Sequence, residues 1–245
     1  MKKFIAAGLA LCMAFMLAAC GASPSSTASQ AGSGTSAAAD GSAVTIKLGG
    51  IGPITGSTAV YGEAVMNGAQ IAVDEINASD SAVKFEYNFQ DDEGDAETAV
   101  NAYNILKDWG MQVLMGTVTT APCLAVISET EADNMFQITP SASSTDVIVP
   151  DNVFQVCFTD PNQGVSAADY IADNGLATKV AAIYDSSDAY SSGIYNAFAA
   201  EAEAKGLEIV CAEAFTADNK TDFRTQLQKA QSAGADLVFL PIYYQ

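Results

Sequence analysis

From residue 44 onward, short apolar runs alternate with longer stretches in which apolar residues recur every three or four positions. This is the form taken by successive strand–helix–strand units. Residues 44–51 predict a first strand, and the stretch at 61–77 places Val65, Gly68, Ala72 and Ile76 on one helix face. Residues 83–90 alternate strictly, with Val83, Phe85, Tyr87 and Phe89 on one side and Lys84, Glu86, Asn88 and Gln90 on the other. One face of that strand meets water, so it is expected at a sheet edge. Helices at about 95–109 and 121–133 are expected to separate strands at 112–116 and 135–139, and 152–158 reads as extended. After Asp160 and Pro161 the alternation resumes: helix 163–174, strand 179–184, helix 190–205 stopped by Gly206, and strand 207–215. A helix at 222–233, with Phe223, Leu227 and Ala230 on one face, then leads to a strand at 236–240. The pattern predicts an α/β protein of two lobes, 44–158 and 159–245, meeting near Phe158 to Pro161. No helix follows the last strand to cover it, so the second lobe reads as incomplete and the chain as the N-terminal part of a longer product.

The residues before 44 follow a different rule. Met1, Lys2 and Lys3 precede an uncharged apolar run that ends at Ala19. That run is about four residues too short to cross roughly 30 Å of hydrocarbon as a relaxed helix. Basic start, apolar middle and small residues at the end are the layout of a secretory signal peptide, assigned to 1–20. Its last residues, Leu17, Ala18, Ala19, Cys20 and Gly21, resemble the bacterial lipobox, which implies lipidation at Cys20 and attachment to the outer face of the cell membrane. Residues 21–43 are Ser, Ala, Thr, Gly and Gln in the main and bury no face, which predicts a flexible tether.

Composition narrows the chemistry. The 245 residues are 49% hydrophobic, enough for one large core or two smaller ones, and 29 acidic against 10 basic side chains give a formal net charge of -19. A nucleic-acid backbone would be repelled by that surface. Histidine is absent, which removes the usual general acid/base and the usual metal ligand, so neither a metal nor a cofactor is expected. Beyond Cys12 and Cys20, three cysteines remain: Cys123, Cys157 and Cys211. Each lies in an apolar segment and their number is odd, so buried free thiols are expected before a disulfide.

The run from Ile46 to Asn77 resembles the opening of the branched-chain amino-acid-binding proteins, the type I periplasmic binding proteins that feed ABC importers. Gly52, Pro53, Thr55 and Gly56 look like their first turn; Tyr61, Gly62 and Glu63 their helix start; Asn67, Gly68 and Ala69 their first helix. Asp91, Asp92 and the helix from Asp95, the stretch from Gly116 to Thr120, and Ile138 to Ser143 continue the likeness in order. Phe158, Thr159, Asp160, Gln163 and Gly164, then Asp185 to Tyr190, complete it. The resemblance implies two Rossmann-like lobes with parallel sheets joined by a hinge. It also implies a monomer that captures an amino acid, branched-chain or aliphatic, and delivers it to an ABC permease without making or breaking a bond.

Ligands of open α/β sheets bind beyond the carboxyl ends of strands, where helix N-termini present free N–H groups. Thr119 and Thr120 occupy such a place, with Pro122 just inside the next helix, so their amides and hydroxyls are candidates to face an anion. At the next strand end lie Ser141, Ala142 and Ser143, where the resemblance implies a backbone carbonyl and a hydroxyl holding the two ends of a zwitterion. Tyr61, Tyr190 and Tyr243 match positions where aromatic rings enclose the ligand, giving contact area at low entropy cost. Two departures are visible: Ser191 stands where the family has Gly after its Tyr, and the family's ammonium-binding acid would lie beyond residue 245. Asp160 reads as a hinge or cap residue before it reads as a substitute for that acid.

Two other readings compete. Gly50, Gly52 and Gly56 form a glycine-rich turn, as in dinucleotide enzymes, but the spacing is one residue off and Pro53 lacks an amide for pyrophosphate. A ligand-sensing receptor ectodomain would share the fold but would have no use for a lipid on Cys20.

Overall fold

The computed structural model describes residues 43–244, which cluster within one compact unit spanning Gly41–Gln245. The expected leader, Cys20, all but the last residue of the tether and Gln245 lie outside the described residues. Two parallel sheets carry the fold. The first has five strands in the order β2-β1-β3-β4-β5: β1 Val44–Gly52, β2 Val83–Asp91, β3 Val113–Met115, β4 Gln137–Thr139 and β5 Val153–Gln155. The second has three in the order β7-β6-β8: β6 Lys179–Asp185, β7 Glu208–Phe215 and β8 Leu237–Phe239. The alternating strand β2 is indeed at an edge, paired only with β1, Val44 opposite Val83.

Helices α1 Ala59–Ala78, α2 Ala96–Trp109 and α3 Thr120–Ala132 connect the strands of the first sheet. Asp95 caps α2 by accepting from Thr98 N–H at 2.8 Å, and Gly110 ends it with φ at 87°, a conformation that glycine adopts without a Cβ clash. Between its caps, α2 buries Ala99, Ala102, Tyr103 and Leu106 against Ile51, Met111, Leu114 and Val126. Each large side chain fully removed from water there contributes about 1.5–3 kcal/mol. A separate core lies on the second sheet, where Ala168, Ile171, Val180, Phe198, Ala202 and Leu207 bring together α4 Asp160–Asp173, α5 Ala189–Ala204, β6 and the approach to β7. Two cores on two sheets are the physical content of the two-lobe expectation.

Helix α1 is rotated from its expected face. Gly68 and Ala72 are exposed, while Gly62 and Val73 are buried and Val65, Met66, Ala69 and Ile76 are half-buried. The cause is Gly62: a Cβ there would sit 1.8 Å from the Pro53 carbonyl oxygen, so the helix backbone rests directly on the β1–α1 loop and sets the rotation. Two other expectations change at their ends. The extended segment at 152–158 is strand only over Val153–Gln155, and α4 begins at Asp160, about a turn earlier than the periodicity predicts. Thr159 caps α4 through Asn162 N–H at 3.4 Å, and Pro161 falls in the first turn, where a missing N–H costs nothing. In α6 Arg224–Ser232, Ala230 is buried but Leu227 is exposed. Cys123, Cys157 and Cys211 are free; only Cys123 is buried.

Candidate functional site

The carboxyl ends of β3 and β4 are held together by a buried polar network. Gln137 donates to the Gly116 carbonyl at 2.7 Å and accepts from the Thr130 hydroxyl at 2.7 Å. The Thr139 hydroxyl donates to the Thr117 carbonyl at 2.7 Å and accepts from Ala142 N–H at 2.9 Å, and the Ser141 hydroxyl donates to the Val118 carbonyl at 2.6 Å. These bonds tie the loop before α3 to the loop after β4. Thr119 and Ser143 are thereby fixed by backbone that cannot drift without unpairing buried groups.

Those two loops form one wall of a cavity of about 200 Å³, lined by Tyr61, Val118, Thr119, Ser141, Ser143, Cys157, Phe158, Gln163, Tyr190 and Tyr243. The opposite wall comes from the second sheet's side, with Tyr190 in the first turn of α5 and Tyr243 after β8. The two rings stack at 4.5 Å between centroids, and Tyr243 meets Tyr61 edge-on at 5.6 Å. The Tyr61 hydroxyl accepts from Tyr244 N–H at 2.7 Å, so the halves touch above the cavity. Burial pushes the Tyr190 hydroxyl up to about 12 and that of Tyr243 higher still, which keeps both rings neutral.

Of the eight expected binding residues, six line this space: Tyr61, Thr119, Ser141, Ser143, Tyr190 and Tyr243. Thr120 and Ala142 are fully buried behind it. The Thr120 hydroxyl accepts from Ser143 N–H at 3.3 Å, and the Ala142 carbonyl accepts from the Gln155 amide at 2.6 Å. Thr119 differs from both. It stands at the N-cap position of α3, is 6% exposed, makes no capping bond, and its hydroxyl has no partner among the described residues. Unpaired groups of this kind are rare because each costs about 1–3 kcal/mol. Sequence reasoning missed Val118, Cys157, Phe158 and Gln163 as lining residues. An earlier start for α4 would have pointed to Gln163, because the first turn of a helix that opens between two sheets faces the space between them.

No Lys or Arg lines the cavity. Across the β1–α1 turn, Ile54 N–H and the Thr55 hydroxyl donate to Asp91 at 2.9 and 2.6 Å, so a carboxylate of the chain itself occupies the place a pyrophosphate would need. The glycines there serve packing instead; a Cβ on Gly52 would meet Val118 at 2.4 Å.

The sequence pattern that defines the periplasmic binding protein family matches residues 45–243. The chain belongs to this family. It is 33% identical over 203 residues to the Leu/Ile/Val-binding protein homolog 3 of Brucella melitensis, covering 81% of this chain and 55% of that protein. It is 32% identical over 203 residues to the Leu/Ile/Val-binding protein BraC3 of Rhizobium johnstonii, with the same coverage. The chain thus spans about half the length of the curated relatives it matches. Among solved structures, the branched-chain amino acid transporter substrate binding protein LivJ of Streptococcus pneumoniae, in complex with isoleucine, superposes with a TM-score of 0.76 at 30% identity, over 82% of this chain and 57% of that one. The type I periplasmic binding fold that the resemblance implied is the fold observed.

Proposed function

We propose that this chain is the ligand-capturing part of a solute-binding protein of an ABC importer, which takes up a branched-chain or other aliphatic amino acid between two lobes and presents it to a permease. The observation that carries this reading is the cavity of about 200 Å³, whose lining brings together three tyrosines and Thr119, a residue at the start of α3 whose buried hydroxyl has no partner among the described residues. A volume below the range of drug-sized sites suits a small solute. Val118, Phe158, Cys157 and the tyrosine rings offer an apolar surface to an aliphatic side chain. The α3 N-terminus and the hydroxyls of Thr119 and Ser143 offer donors to a carboxylate, each worth about 1.5–3 kcal/mol. A purely anionic ligand fits less well, because no cation lines the site to balance a net negative charge.

In this reading 44–158 and 159–245 are the lobes, their closure over the ligand is the conformational change, and no bond is made or broken. The protein is a monomer tethered by lipid on Cys20 through the 21–43 linker. Calorimetric titration of the full-length protein with the common amino acids tests the proposal. Leucine, isoleucine or valine should bind with measurable heat. Failure of every amino acid, with binding of a sugar or a peptide instead, would overturn it.

A further inference from the structure

Beside the ligand cavity, and sharing Tyr243 with it, lies a second space of about 560 Å³ between the two sheets' sides. The charges that line it are mostly acidic. Glu93 comes from the loop after β2 on one side, and Asp185 and Asp188 from the end of β6 and the loop after it on the other. Like charges gathered in one cleft repel, so this lining opposes closure. The chain as a whole has the same bias, with 29 acids against 10 bases.

Lys220 is the exception. It is half-buried in the loop after β7 and lines the same space. Most bases among the described residues are used within their own side of the molecule: Lys47 and Lys84 donate to backbone carbonyls, and Lys107, Lys205, Arg224 and Lys229 pair with nearby acids. Lys220 belongs to none of those ion pairs, and its ammonium donates across the space to the Ser57 hydroxyl at a long 3.5 Å. Ser57 directly precedes Thr58, the N-cap of α1. That helix end carries a positive partial charge and gives a cation no reason to approach. The attraction on that lip comes from the Glu93 carboxylate.

We propose that Lys220 is a clasp that holds the two lobes closed over the ligand. It reaches from the second lobe to the lip of the first, where its charge offsets the repulsion between Glu93 and the two aspartates and the Ser57 hydroxyl fixes its place. The bond from Tyr244 N–H to the Tyr61 hydroxyl joins the halves at the aromatic end of the cleft, and Lys220 joins them at the other. Lys220 does not line the ligand cavity, so it is a positioning residue that acts through the population of the closed form. A ligand held by the closed form alone has an apparent affinity scaled by the fraction of protein that is closed. The clasp rests on the two-lobe reading above.

The test is leucine binding to the full-length protein by calorimetry and stopped flow, in 0.01 M and in 1 M salt, where the screening length falls from about 30 Å to about 3 Å. Leucine carries no net charge near neutral pH, so salt acts on the protein and not on steering of the ligand. Lys220→Gln should bind about two- to fivefold more weakly at low salt, through faster release with an unchanged association rate, and the gap should close at high salt. Lys220→Arg should retain the wild-type release rate, and Lys220→Glu should lose more than Lys220→Gln. The charge swap Lys220→Glu with Glu93→Lys should return to within about twofold of wild type, an interaction that two unrelated surface changes would not show. Thermal unfolding without ligand should be the same for Lys220→Gln and wild type. Wild-type release from Lys220→Gln at low salt, a loss that persists undiminished in 1 M salt, or no recovery in the swap would overturn the clasp while leaving leucine capture intact. If the wild type binds no amino acid, the functional reading fails and the clasp fails with it.

Discussion

The hydroxyl of Thr119 offers the sharpest separation of binding from folding. It is 6% exposed, sits at the N-cap of α3 without capping it, and has no partner among the described residues. Thr119→Val keeps the shape and removes only the oxygen. In the unliganded protein this relieves a buried unsatisfied group that costs about 1–3 kcal/mol, so stability should hold or rise. For a chain of this size, 1 kcal/mol moves Tm by about 2–4 °C. In the complex the same change deletes one hydrogen bond to a charged group, about 1.5–3 kcal/mol, or roughly a 10- to 150-fold loss of affinity. Thr120→Val is the contrasting case. Its oxygen accepts from Ser143 N–H at 3.3 Å in a fully buried position, so its loss leaves an amide unpaired and lowers Tm by several degrees. Thermal unfolding without ligand, paired with calorimetric titration of leucine, measures both quantities. Wild-type affinity in Thr119→Val, or destabilisation as large as that of Thr120→Val, would refute the claim that this hydroxyl is held for a ligand.

Gly62→Ala should destabilise the chain by about 1–3 kcal/mol or more in urea unfolding, because its Cβ would lie 1.8 Å from the Pro53 carbonyl oxygen, whereas Gly68→Ala, with nothing within 4 Å, should stabilise by about 0.5–1 kcal/mol. Burial, reinforced by the charges of Asp91 and Asp95 and opposed by a hydrogen bond from Gly94 N–H, raises the Asp92 carboxyl to about 7. The folded protein then holds a proton that the unfolded chain releases near 4, so this residue's contribution falls as pH rises from about 4 to 7. Asp92→Asn should match wild type in denaturant near pH 4.5 and exceed it at pH 7.5; an equal gap at both values would contradict the assignment. Cys157 lines the cavity while Cys123 is buried, so leucine should slow alkylation of Cys157 and leave the half-buried Cys211 unaffected. Equal rates with and without leucine would show that the cavity is not where leucine sits.

Local pattern was enough to read the order of strands and helices, the edge position of β2, and the two strand-end loops that carry Thr119 and Ser143. Alternation of period two and recurrence at three to four positions are imposed by backbone geometry and survive without knowledge of neighbours. The likeness, running over about 44–245, also placed the three tyrosines at element ends, where side chains reach a cleft.

Tertiary contacts decided the rest. The rotation of α1 was set by Gly62 lying on Pro53, a contact between backbones that no hydrophobic periodicity records. Thr119 and Thr120 are adjacent and chemically identical, yet one hydroxyl is spent on Ser143 and the other is left open, because only the fold determines which donor stands opposite each. Asp160 reads in sequence as a hinge or cap residue; in the fold its carboxyl is buried against α5 at Gly193, and one of its oxygens is left without a partner among the described residues. Periodicity reports which face of an element is apolar. Which polar atom goes unsatisfied depends on distances across the chain, and those exist only after the sheets have packed.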